Sequence, residues 1–542
     1  MTVIAGGKIK LLERKIEDRE GKSKAASTTL PIMLSMQRIS ARCVRPTRVS
    51  SIAAGTATPR RHCAATSTGG SGHLESPHAA GPDGMDIERD KFGHPRLPHR
   101  GHFEEDKSNA RREWCSKFTG TTLDYIGDWW PVDGKRDDNA STQLPTTLLK
   151  GNIENPIGML TIPLSSTGPL LVSGEHVNGS VLVPYATTEP GVSASATRGS
   201  RLISQSGGAV CRVTNYCQRR APVFSTNSMV EAQRLAKWLE QQVPRIREAL
   251  REVSEHGRLL KLQSYTLGRD LHVNFFYSTG DAAGQNMVTS LTSSAMTWII
   301  TTARKELKDK VTIKQQMIET GMSGDKRNSY MNQIIGRGIA VHAEVFVPES
   351  VVQSVFKLSS GRMQRCYEVC SQGILLSGAP AVNIATSDSL AAIYAATGQD
   401  VACIPEHSCG NSLSLRLASA EEIQLARKRI KLDDEQSADQ KGRPAGQQHT
   451  VEDGEGGLYA SMSIPNLSIG TVGGGTMLPT QKECLSMIGC SGSGGVLRFA
   501  EIIAASTLAL DLSALASLAS GRRMYSLEGE APEMAALRKA VD

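Results

Sequence analysis

The run LLKLQSYTLGRDLHVNFFYS, Leu259 to Ser278, reads as two strands folded back on Gly268-Arg269-Asp270, with aromatic and branched residues dense on both sides of a turn. Outward on the N-terminal side, Met229 to Glu255 has helical apolar spacing, and Pro244 predicts a break or kink within it. On the C-terminal side lie a glycine-containing loop, Gly280 to Asn286, and a second helical run, Met287 to Lys305. A helix, a hairpin and a second helix beside another strand predict a small ferredoxin-like unit. Sequence up to Arg220 and after Asp325 then belongs to one larger domain that this unit interrupts. The fold class is α+β, a large helical and mixed domain with a small inserted one.

The boundaries follow from composition. Residues 1–110 read as a disordered basic tail, 111–150 as an N-terminal helical segment, and 151–220 as the first part of the large domain. Residues 221–324 form the small domain and 325–542 the rest of the large one, with 427–457 a polar surface insertion. Charge is unevenly placed. Residues 21–80 carry eight basic side chains against the single acid Glu75, while the remainder balances at 53 against 53. The folded part therefore lacks the basic face that nucleic-acid binding needs. From Met33 the tail is rich in Arg and Ser and free of acids over some thirty residues, a composition shared by organellar transit peptides and by plain disordered tails. The 11 Cys include no CxxC pair, so a metal centre and a disulfide scaffold both lose support. Ile502 to Gly521 is small, apolar and interrupted by Asp511, and reads as a core helix instead of a membrane span. A cytoplasmic protein without an integral membrane segment is the expectation, with organellar targeting by the tail as the variant.

Four polar points stand out. Glu189 in ATTEPGVSAS is either a solvated turn residue or a placed acid, and a run of small residues suited to a tightly packed helix follows it. GDKRN offers Asp325, Lys326 and Arg327, a cluster able to grip a carboxylate or polarise a carbonyl, or else an ordinary charged loop. Asp400 in ATGQDVA can support a lysine or cap the next helix. GDAAGQNM (Gly280 to Met287) and IGTVGGGT (Ile469 to Thr476) let backbone N–H groups approach phosphates, or serve as packing turns. Neither matches GxGxxG with an acid some twenty residues on, which disfavours a standard Rossmann unit.

In order and wording, ENPIGMLTIPLSSTGPL, PYATTEPGVSASATRG, RRAPV, LQSYTLGRDLHV, GDAAGQNM, DKR with NQIIGRG, AAIYAATGQD and IPNLSIGTVGGGT together resemble hydroxymethylglutaryl-CoA reductase, nearest the eukaryotic class I type. The resemblance covers Asn152 to Met524. It implies reduction of 3-hydroxy-3-methylglutaryl-CoA to mevalonate with two NADPH, a substrate-binding large domain and an NADP-binding small one. By motif, Lys326 would stabilise the oxyanion, Glu189 would supply a proton, and Asp400 would join the two in one network. Arg220, Asp325 and Arg327 would position the substrate. Asp281, Gly284, Gln285, Asn286 and Met287, with Gly470, Thr471, Val472, Gly473 and Gly474, would bind NADPH. A homodimer or homotetramer with shared sites is also implied.

The departures are specific. A histidine that the family places near its C-terminus to protonate the CoA thiolate is replaced by Leu527, and His449 is the last histidine of the chain. Ala385 and Asp388 stand where the family has His and Asn, and IETGMSG and ACIPEHSCGN are reworded. These changes predict a reductase attenuated at the CoA-leaving step. The alternative is a non-catalytic relative that binds substrate, cofactor or inhibitor, or that modulates an active partner.

Overall fold

The computed structural model describes residues 93–99, 105–123, 152, 161–426, 428 and 456–520. The transit-peptide-like stretch, nearly all of the 427–457 insertion and Leu527 lie outside these residues. Helix α1 (Glu105–Thr119) precedes β1 (Leu164–Gly174), β2 (Asn178–Ala186), α2 (Val192–Gln205), β3 (Ala209–Arg220) and β4 (Val223–Ser225). Next come α3 (Met229–Arg251), β5 (Arg258–Leu267), β6 (Asp270–Ser278), α4 (Gln285–Glu306) and β7 (Gln315–Met317). Then follow α5 (Tyr330–Ile335), β8 (Gly338–Pro348), α6 (Glu349–Phe356), α7 (Ser360–Leu376), α8 (Thr386–Thr397) and α9 (Ile404–Cys409). Strands β9 (Ser412–Ala418) and β10 (Gly457–Leu467) and helices α10 (Pro479–Met487) and α11 (Val496–Ser520) complete the described chain.

The hairpin of β5 and β6 pairs in register from Leu267↔Asp270 to Arg258↔Ser278. With β4 and β7 it makes the order β7-β4-β6-β5, and β4-α3-β5-β6-α4-β7 is the ferredoxin-like succession. Phe224, Leu235, Leu239, Val273, Phe275, Leu291 and Ile299 form its core. Helix α3 runs continuously through Pro244, so of the break or kink expected there the break does not occur. Pro244 is on the exposed side, where water can take the carbonyl left unbonded, while Leu239, Gln242 and Ile246 keep the buried face continuous.

Strand β3 carries the chain between two sheets. Its residues 210–217 pair with β8, and Gln218, Arg219 and Arg220 pair with Tyr277, Phe276 and Phe275 of β6. Beyond β8 the larger sheet continues through β10 to β9, and on the other side β1 runs parallel to β3 and antiparallel to β2. Its core gathers around α11. That helix is long and apolar enough to cross a membrane, yet 94% of its most apolar stretch is buried within the fold. Its two carboxylates are both bonded: Glu501 accepts the backbone N–H groups of Glu175, His176 and Val177, and Asp511 those of Ile384 and Ala385 ahead of α8. The small residues of α2 let it press on α11 so closely that a Cβ on Gly199 would overlap the Ala509 carbonyl.

Candidate active site

Lys326 sits in the turn between β7 and α5, with backbone φ of 56°, in the left-handed region uncommon for a residue with a Cβ. Its Nζ is 2.8 Å from Asp400 Oδ2, and the two side chains are 46% and 44% exposed, so the ion pair lies where a ligand can reach it. The hydrogen bond to Asp400 raises the Lys326 pKa, keeping the group an ammonium. Burial works against Asp400, but the Lys326 ammonium and the Ala402 N–H hold its carboxyl below the usual range. Both uses foreseen for Asp400 are realised, since it also caps the short turn at Val401.

Beneath this turn is a charge network. Arg220 donates to Asp325 Oδ2 at 3.1 Å, to Gln285 Oε1 at 3.1 Å and to Thr289 at 2.7 Å, and lies 3.5 Å from Glu319. Gln285 donates in turn to Asp325 Oδ1 at 3.1 Å. Glu319 is opposed by burial, yet bonds from Ser323, Ala221 and Gly321 hold its carboxyl low. Arg337, fully buried, contacts Asp325 at 3.1 Å and grips both oxygens of the fully buried Glu406 at 2.7 and 2.8 Å. Glu406 Oε2 also accepts the Lys326 backbone N–H at 2.9 Å.

Three glycine-rich turns converge beside the network. Thr471 N–H donates to the Asp281 carbonyl at 2.8 Å, and Gly492 N–H to the Thr471 carbonyl at 3.2 Å. A Cβ on Gly470 would press on the Ala283 backbone nitrogen, so these two loops can touch only through glycine. Gly473, Gly474, Gly492 and Gly494 face open space. Gln399, next to Asp400, takes the Gly470 N–H at 2.9 Å and returns a bond to its carbonyl at 3.0 Å.

The chain thus brings Lys326, Asp400, Asp325, Arg220 and Gln285 together. Glu189 is exposed, and its recorded hydrogen bond is from its own N–H to Thr187; it touches neither Lys326 nor Asp400 within one chain. Both terminal nitrogens of Arg220 are engaged within the chain, whereas the Arg327 side chain is exposed beside Lys326. The Asp281 carboxylate accepts from Ser493 Oγ, Gly494 N and Val496 N, which makes it the cap of α11. Met287 packs against the second core, next to Gly257, while Asn286 is exposed. Sequence reasoning missed Gln399, Glu406, Arg337 and the third turn, Ser491 to Gly495. An acid beside a histidine between two cysteines, in CIPEHSC, was the available signal for Glu406.

Cys403, Glu406 and His407 cluster closely, but the Glu406 oxygens and both His407 ring nitrogens are already hydrogen-bonded within the chain. His407 Nε2 accepts from Ser468 N–H, which places the proton on Nδ1 and directs it to Tyr394. Burial, with Arg337 nearby, pushes its pKa down to about 3, so this imidazole stays neutral.

The hydroxymethylglutaryl-coenzyme A reductase family model matches residues 109–525. The chain is 36% identical over 375 residues to the 3-hydroxy-3-methylglutaryl-coenzyme A reductase of Methanocaldococcus jannaschii, covering 69% of this chain and 83% of that one. Against the enzyme of that name from Methanothermobacter thermautotrophicus the identity is 33% over 423 residues, covering 77% and 91%. Against reductase 1 of Dictyostelium discoideum it is 30% over 386 residues, covering 69% and 61%. A solved reductase from Streptococcus pneumoniae superposes with a TM-score of 0.48 at 17% identity, over 73% of this chain and 82% of that one. With the family model spanning the Lys326 turn, Asp400 and all three glycine turns, this chain belongs to the hydroxymethylglutaryl-coenzyme A reductase family of oxidoreductases.

Proposed function

We propose that this chain reduces 3-hydroxy-3-methylglutaryl-CoA to mevalonate and CoA with two NADPH, in sites shared between copies of the chain. The observation that carries the reading is the Gln285–Asp325 hydrogen bond at 3.1 Å, which joins the loop carrying the Lys326 cation to the glycine turns. The turns suit a dinucleotide: Gly473, Gly474, Gly492 and Gly494 leave room for a pyrophosphate against backbone, and Asn286 is free beside them. NADPH supplies the hydride for each of the two reductions.

Lys326, kept charged by Asp400, stabilises the oxyanion that forms first on the thioester carbonyl and then on the aldehyde. Removing such a donor costs roughly 10²- to 10³-fold in kcat. Arg327 is the cation available to take the substrate's free carboxylate, because Arg220 is committed within the chain. Glu189 supplies the proton in the aldehyde step from a neighbouring copy, in keeping with its separation from Lys326 within one chain. Departure of the CoA thiolate proceeds without a histidine at position 527. A missing general acid slows a step by about 10²- to 10⁴-fold, so the thioester half-reaction is the slow one.

The test is NADPH oxidation by the full chain with hydroxymethylglutaryl-CoA and, separately, with mevaldehyde. Mevaldehyde is expected to be reduced the faster. Leu527→His should raise the thioester rate and leave the aldehyde rate alone, and Lys326→Met should lower both by roughly 10²- to 10³-fold. Consumption of neither substrate while NADPH binds overturns the reading in favour of a non-catalytic relative.

A further inference from the structure

We propose that Glu406, paired with Arg337, is a positioning residue that sets where the Lys326 ammonium is delivered. The proposal rests on the reductase reading of Lys326. A left-handed φ at a lysine persists only where its surroundings impose it. Two groups hold this residue. Asp400 holds Nζ, but that pair is nearly half exposed, and such pairs restrain a long side chain weakly. Glu406 holds the backbone N–H at 2.9 Å from a site with no exposure, and so fixes the Cα from which the side chain reaches out.

Glu406 is itself immobilised. Both its oxygens are gripped by Arg337, which immediately precedes the Gly338 start of β8 and also donates to Ser468 at 3.1 Å. The Glu406 backbone carbonyl is bonded by Asn466 Nδ2. Rigidity therefore passes from the large sheet through Arg337 and Glu406 to Lys326. Being fully buried, Glu406 cannot touch a substrate, and any effect it has on turnover acts through Lys326.

Two double variants separate positioning from plain structural support. Glu406→Gln/Arg337→Met and Glu406→Leu/Arg337→Met both remove the buried charges together, and only the first keeps an acceptor for the Lys326 N–H. The expected result is similar melting temperatures, with kcat for mevaldehyde about 10²-fold lower in the Leu/Met pair than in the Gln/Met pair, the loss that misplacing a catalytic group by an ångström produces. KM for NADPH should agree between them within about threefold, since the cofactor turns are untouched. Equal kcat in the two pairs overturns the proposal and leaves the reductase reading intact. A wild-type chain that consumes no NADPH overturns both. Hydrogen exchange at the Lys326 amide of the unmodified chain is a second readout independent of any variant's folding. Slow exchange supports the proposal, and exchange at the rate of an unstructured amide overturns it.

Discussion

At the scale of single residues, the charge states of Lys326 and Asp400 make a pH prediction. Lys326 is raised by its bond to Asp400, so its contribution to stability is complete below the ordinary lysine value of about 10.4 and is lost as pH rises through the raised value. Asp400 is lowered, so its contribution is present above about 3.9 and lost as pH falls through the lowered value. Between these limits the pair is fully charged, and its exposure keeps the stability effect within about 1 kcal/mol. Catalysis is the sensitive readout. Asp400→Asn should move the alkaline limb of the kcat profile for mevaldehyde to lower pH, and an unmoved limb would show that Asp400 does not tune Lys326. Asp281 makes a contrasting case, because its carboxylate caps α11. Asp281→Ala is expected to cost about 1 to 2 kcal/mol in urea unfolding, the usual loss for a cap. Weakened NADPH binding at unchanged stability would return Asp281 to the cofactor-binding role.

At the scale of elements, α11 shows how an apolar helix carries acids into a core. Burial raises the Asp511 carboxyl from 3.8 to about 6, against the pull of the Ala385 and Ile384 N–H groups. A carboxyl raised in the folded state loses stability as pH climbs between those two values, here on the order of 3 kcal/mol. Asp511→Asn should flatten that slope between pH 4 and 6, measured by urea midpoints, and an unchanged slope would place its source elsewhere. On the facing helix, Gly199→Val has no room against the Ala509 carbonyl. A loss of about 3 kcal/mol or more is expected in the same assay, and a smaller loss would mean that α2 and α11 can slide apart.

At the scale of the molecule, β3 and the Arg220 network join the two cores. Arg220 neutralises Asp325 and Glu319 at once while holding Gln285, so its loss leaves two partly buried carboxylates with fewer partners on one side and loosens the Gly280 to Met287 loop, proposed to bind NADPH, on the other. Arg220→Met should destabilise by about 1 to 3 kcal/mol, less than for a fully buried pair because the two carboxylates are partly exposed and Asp325 keeps Arg337, and should raise KM for NADPH. A variant of wild-type stability that raises only KM for the thioester would restore the substrate-gripping role. The ferredoxin-like unit was legible in the sequence because a hairpin between two helices is written in local periodicity and turn chemistry, as at Leu259 to Ser278. Lys326, Asp400 and the glycine turns were legible as chemistry-bearing types in distinctive surroundings. The break expected at Pro244 does not occur because propensity is local, while the packing of the buried face that overrides it is not. Glu406, Arg337 and Gln399 acquire their roles from residues 80, 69 and 71 positions away along the chain, and no spacing rule reaches that far. The sequence by itself determined the family, the small unit and the residue types the reaction needs. Which acid caps a helix, which arginine is left free and what holds Lys326 were decided only when tertiary contact spent some polar groups on one another and left others facing the solvent.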